Sequence, residues 1–204
     1  MSRWCSNQLS YAPEIEFEKR NFSMNHPSTV RLYETDRKAL GRHFLRLDVE
    51  DRRLRFGSAI SDEAILAYAA RIDFERDCVF AVHDEHLAWI AVVHVALSGA
   101  TAELGLSVLP GFRGHGNGDA LLKRAVVWLR NRRIMSVYVH CIAENAGMMH
   151  LARKNGMRIV YSGSESDGRL ELDGPDAGSY LAEWMEDQRG SAIHTLSRLA
   201  AIVP

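Results

Sequence analysis

What the chain lacks narrows it before any motif is read. Cysteine is scarce: Cys5, Cys78 and Cys141 stand at no spacing that a zinc site uses. An odd, sparse set suits a reducing cytoplasm, where thiols stay free. Charge of one sign is missing as well. Twenty-five Lys and Arg against 26 Asp and Glu leave a net charge of −1, which gives no overall pull toward nucleic acid. The longest apolar run, near Leu87–Leu97, is broken by His94 and is far too short to span a bilayer, so no membrane partner is expected. The first residues, MSRWCSNQLSYAPEIEFEKRN, carry acids early and have no apolar stretch of the kind a secretory signal needs. A cytoplasmic location is therefore expected. Internal repeats and low-complexity tracts are absent too.

What is present is an ordinary globular composition, 47% hydrophobic and 25% charged over 204 residues, enough for one domain with extensions. The most informative segment is LSVLPGFRGHGNGDALL, residues 106–122. An apolar strand stops at Pro110, a turn reading Arg113-Gly114-His115-Gly116-Asn117-Gly118 follows, and an amphipathic helix begins. Glycines let a backbone approach a ligand closely and take positive φ angles. A helix start exposes unpaired N–H groups beside the positive end of the dipole, and such a place holds phosphate. Two well-known phosphate loops fit poorly. A Walker loop requires a Lys after its glycines, and none follows; the dinucleotide fingerprint read from Gly114 requires glycine at 119 and meets Asp119.

In order and spacing, LSV, Pro, R-x-x-G-x-G and ALL resemble the principal motif of the GNAT family of N-acetyltransferases. Downstream, CIAENAGMMHLARKNGM at 141–157 is similar to the family's second motif: a strand ends, Asn145 caps a helix, and Asn155-Gly156 stops it. The resemblance covers 28–172. It implies an α+β fold, a three-layer α/β/α domain whose central mixed, mostly antiparallel sheet is splayed at the cofactor site. Residues 1–27 then read as a polar, partly disordered leader and 173–204 as a helical extension. That extension is expected in two pieces separated near Gly190, packed on its own domain, with a homodimer contact or a wall of the substrate cleft as alternatives.

Periodicity predicts a strand at Val30–Tyr33 and a helix capped by Thr35 through about Leu47. A helix follows Asp48 and stops at Gly57, and another is capped by Ser61. Strands are expected at Cys78–His83 and Leu87–Leu97, joined by a turn at Asp84-Glu85-His86, and at Thr101–Leu109. Then come a helix at Gly116–Asn131, a buried strand at Ile134–Cys141, a helix at Asn145–Asn155, and a closing hairpin, Met157–Ser162 and Arg169–Leu172, turning around Glu165–Gly168. Strand, helix and strand from 101 to 141 form a crossover, so those two strands run parallel.

Acetyl transfer from a thioester to an amine makes three demands: hold the cofactor, deprotonate the amine, and stabilise the oxyanion. The resemblance implies that backbone N–H groups of Arg113, Gly114, His115, Gly116, Asn117 and Gly118 cradle the pyrophosphate of acetyl-CoA. It implies further that the main chain of Leu106, Ser107 and Val108 pairs with the pantetheine arm, and that Asn145 contacts the same cofactor. Asp119 departs from this picture: a carboxylate in the first helical turn suits the dipole and disfavours a phosphate. For the base there are two candidates, Glu103 in TAELGLSV and His140 at the end of SVYVHC, with a water chain as the alternative; Glu103 is preferred. Many relatives place a tyrosine acid two turns after the Asn, where this chain has Ala152, which leaves a gap there. Tyr138 and Tyr161 are substitutes better read as core or surface residues. His43, His83, His86 and His94 do not form a metal-ligand pattern, so no metal is expected. The run Arg52-Arg53-Leu54-Arg55 reads as a solvated helix face rather than a phosphate site.

The function these residues imply is N-acetyl transfer from acetyl-CoA to a primary amine, on a small molecule or a protein, by direct attack in a ternary complex. The acceptor site is expected from 35–72 and 160–175. The alternative is a non-catalytic acyl-CoA-binding or sensing module, favoured by Ala152.

Overall fold

The computed structural model describes residues 27–200; the leader expected over 1–27 lies, Pro27 apart, outside the described residues. Strands form where β-branched and apolar residues run together. Val30–Leu32 (β1), Cys78–His83 (β2), Trp89–Ser98 (β3), Thr101–Val108 (β4), Ser136–Ile142 (β5), Arg158–Ser162 (β6) and Glu165–Glu171 (β7) make one seven-stranded sheet in the order β1-β2-β3-β4-β5-β7-β6. β4 and β5 supply the parallel pairing, and every other neighbouring pair is antiparallel. Their ladder is short, Thr101–Glu103 against Ser136–Tyr138. Beyond it β4 stays on β3 as far as Val108 while β5 stays on β7, so the two strands part.

The helices are Arg37–Leu45 (α1), Val49–Phe56 (α2), Asp62–Arg71 (α3), Asn117–Asn131 (α4), Ala146–Lys154 (α5) and Ala177–Ala200 (α6). Side chains alternate across a strand, and β2 shows why the sheet is covered on both faces. Val79 and Ala81 pack with Leu40, Phe44 and Ile65 of α1 and α3. Cys78, Phe80 and Val82 pack with Leu121, Leu122 and Leu129 of α4 and with Met149 and Ala152 of α5. The result is the expected α+β domain in three layers. No helix among the described residues is long and apolar enough to cross a membrane.

Local chemistry sets most boundaries. Asp48 accepts from the Asp51 N–H at 2.8 Å to start α2, Ser61 from Ala64 at 3.3 Å to start α3, and Asn145 from Met148 at 3.0 Å to start α5. Four expectations are corrected. Thr35 caps nothing: it lies in a 3-10 turn over Glu34–Asp36, and the Asp36 carboxylate takes the Tyr33 N–H instead. The β2–β3 turn extends through Leu87, because Asp84 accepts from both His86 and Ala88 and holds the loop one step longer. The last hairpin turns at Gly163, which has φ +62°, and Glu165–Gly168 belong to β7, paired with β5 along its length. Finally, α6 runs unbroken through Gly190. A Cβ there would fall 2.8 Å from the Thr29 carbonyl oxygen, so the glycine lets the helix lie against the chain entering β1 rather than ending it.

Candidate functional site

The parting of β4 and β5 opens a cleft of about 610 Å³, floored by Leu106, Ser107 and Val108 and closed at one end by the start of α4. Past Glu103 the edge of β4 that faces β5 has no strand partner, so its main chain is available to an extended ligand. At the start of α4, Gly114 and Gly116 have φ of +77° and +82°, and a Cβ on either would meet no protein atom within 4 Å. Among the described residues the backbone N–H groups from Gly114 to Asp119 find no hydrogen-bond partner; the first to do so is Ala120, on the Gly116 carbonyl at 2.9 Å. Six unpartnered donors at the positive end of a fifteen-residue helix suit a diphosphate. Asn117 is buried and donates to the Phe112 carbonyl at 2.8 Å, which pins the turn. His115 is exposed and does not line the cleft.

The objection expected from Asp119 does not hold. Its carboxylate is buried between Lys123 Nζ at 2.9 Å and Lys154 Nζ at 3.1 Å and accepts from Asn155 at 2.9 Å. Burial alone would push this carboxyl up, but those partners outweigh it and hold it at about 2. The charge is neutralised locally, and it ties α4 to the end of α5 instead of repelling an anion.

α2 arches over the cleft and is tied across it three times. Arg113 donates to Asp51 and, through Nε, to the Val108 carbonyl at 3.0 Å. Arg53 pairs with Glu144 at 2.6 Å, and Asn145 Nδ2 donates to the Leu54 carbonyl at 3.3 Å. With its oxygen on Met148, both ends of the Asn145 amide are engaged. The basic run is therefore no solvated face. Arg52 reaches the carbonyls of Leu45, Leu47 and Ile60, Arg53 bridges the cleft, and Arg55 turns inward. Beneath them, Ser107 donates to His43 Nε2 at 2.8 Å while His43 Nδ1 donates to the Trp89 carbonyl at 3.0 Å. Desolvation takes the His43 pKa down to about 4, so the ring is neutral and fixes this segment of β4.

On the other side of the splay lies a second cavity of about 450 Å³, which meets the first at Arg55, Leu106 and Met148. Both base candidates, Glu103 and His140, line it. His140 Nδ1 donates to Asp167 at 2.6 Å and its Nε2 lies 3.7 Å from Glu165. The Asp167 hydrogen bond raises its pKa; burial opposes this, and the charges of Asp167, Glu165 and Glu103 add to it. Of the expected acceptor segments, the end of α2 and Glu165 reach this cavity.

The gap expected at Ala152 is not there. Ala152 is fully buried in the core, 3.5 Å from where a Cβ on Gly168 would stand, and α5 presents Met148 and Leu151 to the cleft instead. Tyr138 lies under the Arg169 guanidinium, and Tyr161 is exposed and bonded to Arg153; neither lines either of these two cavities. Among the described residues no three His, Cys, Asp or Glu side chains converge as a metal site. Sequence reasoning missed Asp51, Glu144 and Arg55. For Arg55 a signal existed in Gly105, a glycine inside a strand pattern, which marks the close approach of another group.

The chain matches the family model described as Acetyltransferase (GNAT) family over residues 30–157. No curated protein matches it by sequence. Among solved structures it is similar to the GNAT domain of S. lividans PAT, with a TM-score of 0.61 and 18% identity over 71% of this chain and 89% of that one. It is similar to the ribosomal-protein-S18-alanine N-acetyltransferase from Escherichia coli, with a TM-score of 0.55 and 18% identity over 73% and 96%. A third is the PaiA N-acetyltransferase from Thermoplasma acidophilum in complex with coenzyme A, with a TM-score of 0.55 and 17% identity over 71% and 99%.

Proposed function

The chain belongs to the GNAT acetyltransferase family, and on that footing we propose that it moves an acetyl group from acetyl-CoA to a primary amine by direct attack in a ternary complex. The observation that carries this reading is the row of unpartnered N–H groups from Gly114 to Asp119, set at the end of a cleft whose floor is the free edge of β4. Acetyl-CoA supplies an activated thioester. The chain's own groups would do the rest. The start of α4 holds the diphosphate, the main chain of Leu106, Ser107 and Val108 aligns the pantetheine, and the second cavity admits the amine. Glu103 is the better base. The Asp167 hydrogen bond holds His140 toward its protonated form, while Glu103 lines the same cavity with no ion pair among the described residues. Among the described residues, Cys141 is buried with its thiol pushed up by desolvation and Ser107 is buried in the floor of the cleft, which supports direct attack by the amine.

Thiol release from acetyl-CoA with a panel of amines, followed by mass spectrometry of the product, tests the reading. Acetylated amine is expected, with release that depends on the acceptor. One observation favours the second reading, a non-catalytic acyl-CoA-binding module: Ala152 is buried in the core and offers the cleft no tyrosine acid. Coenzyme A binding in the micromolar range with no transfer to any amine would decide for it.

A further inference from the structure

Arg55, on the last turn of α2, stands at the junction of the two cavities and lines both. Its guanidinium rests against β4 at Gly105, where a Cβ would fall 1.9 Å from Nη2 and 2.2 Å from Cζ. A glycine inside a regular element is destabilising relative to alanine. Here the missing side chain makes the space that the guanidinium fills.

A chain of hydrogen bonds running in one direction fixes Arg55 from behind. Nη2 donates to Tyr68 Oη at 2.9 Å, the Tyr68 hydroxyl donates to His94 Nδ1 at 2.7 Å, and His94 Nε2 donates to Asp77 at 3.2 Å. Burial keeps His94 below its ordinary range, hence neutral, the form with one donor and one acceptor nitrogen that the chain requires. Asp77 is anchored in turn by Arg76 and by the Leu97 N–H.

For all this support, Arg55 meets no carboxylate among the described residues, and its Nε is buried with no hydrogen-bond partner. A buried donor left unpaired is costly, more so when charged. Glu103, two residues before Gly105 on the same strand, lines the 450 Å³ cavity and among the described residues forms no ion pair either, and Glu165 lines it beside His140. The cavity thus holds a fixed cation and carboxylates that form no ion pair with it.

We propose that this cavity selects zwitterionic acceptors, a primary amine and a carboxylate on one small molecule of the amino-acid class, with Arg55 as the residue that sets the specificity. A guanidinium fork matches a carboxylate with two parallel N–H bonds, and Arg55 has donors to spare. The ammonium end then faces Glu103, the base candidate, which lines the same cavity at the last rung of the β4–β5 ladder. A volume of this size suits a small molecule. The specificity rests on the acetyl-transfer reading above.

Steady-state thiol release with free L-amino acids and the matching amino-acid amides reads the preference directly, because the pair differs in charge at nearly equal size. The acids should exceed the amides in kcat/KM by about tenfold to a hundredfold, the scale of a hydrogen bond to a charged group, and chiefly through KM. R55Q should collapse that ratio toward one, and R55K should restore part of it. Gly105→Ala keeps Arg55 in the sequence but displaces its guanidinium, and should lower the ratio as well; thermal midpoints show whether each variant is folded. Should R55Q fail to fold, the wild-type ratio and Gly105→Ala still decide. Equal turnover of acids and amides, or a ratio untouched by R55Q, overturns the role of Arg55 and leaves acetyl transfer standing. Acetylation of peptide N-termini with no free amino acid turned over overturns it likewise. Coenzyme A binding with no amine of any kind acetylated overturns both readings.

Discussion

His43 is 1% exposed, and its pH behaviour follows from that. Desolvation lowers its pKa from 6.5 to about 4. The unfolded chain therefore takes up a proton near 6.5 that the folded chain refuses until about 4. Stability is full above the higher value and falls as pH drops through the window, by about 3 kcal/mol at most. Burial shifts His94 the same way and adds to the loss. Urea midpoints measured between those pH values should show the slope, and His43→Gln should flatten much of it. His140 has the opposite sign, but it is half exposed, and solvent screens its contribution. In catalysis, Glu103→Gln keeps the shape and removes the proposed base, so the rate should fall about 10²-fold or more with coenzyme A affinity nearly unchanged. A preserved rate, with His140→Ala slow, identifies His140 as the base; two fast variants point to a water chain. Glu103 and His140 were legible because each ends up beside the splay that the crossover predicts. The role expected of Ala152 was not. One residue along a helix is a rotation of about 100°, and that offset separates buried Ala152 from Leu151, which faces the cleft.

α2 shows how an element can be legible in its limits and opaque in its use. Asp48 and Gly57 bound it as the sequence suggests, the one as a side-chain cap and the other at φ +79°. Its arginines look solvated because their partners, the carbonyls of Leu45, Leu47 and Ile60 and the carboxylate of Glu144, follow no sequence period. Asp48→Ala removes the cap on the Asp51 N–H and should cost about 1 kcal/mol of stability by urea unfolding. Asp51 on that same turn holds Arg113, so a calorimetric titration should show weaker coenzyme A binding as well. The turn before α4 makes a sharper case. Gly116 has φ +82° with no protein atom near its Cβ, so a β-branched residue strains the backbone and intrudes on the cleft. Gly116→Val should abolish coenzyme A binding in the same titration while the far-ultraviolet circular dichroism stays native.

At the scale of the whole molecule, α6 clamps the segment entering β1 to the crossover helix. Arg124, its side chain 3% exposed and stacked on Phe80, pairs with Asp187; Asn131 and Arg132 meet Glu183, and Thr29 meets Glu186. Asp187→Ala strands a buried guanidinium and should lower stability by about 1–3 kcal/mol in urea unfolding. The elements and the parallel crossover were readable from alternation and spacing, and the three layers from the family resemblance. The single helix was not, since the local propensity of Gly190 favours a break and its contact with Thr29 is set only by the packed fold. The order β5-β7-β6 was likewise not readable, because nothing local fixes which strand of the last hairpin joins β5. The central claim is that the unpartnered amides at the start of α4 hold the coenzyme A diphosphate beside the free edge of β4. Amide chemical-shift mapping during a coenzyme A titration tests it most directly. The largest shifts should fall on Gly114 to Asp119, with a second group at Leu106 to Val108; unshifted amides in those segments, with binding registered elsewhere in the chain, would contradict it.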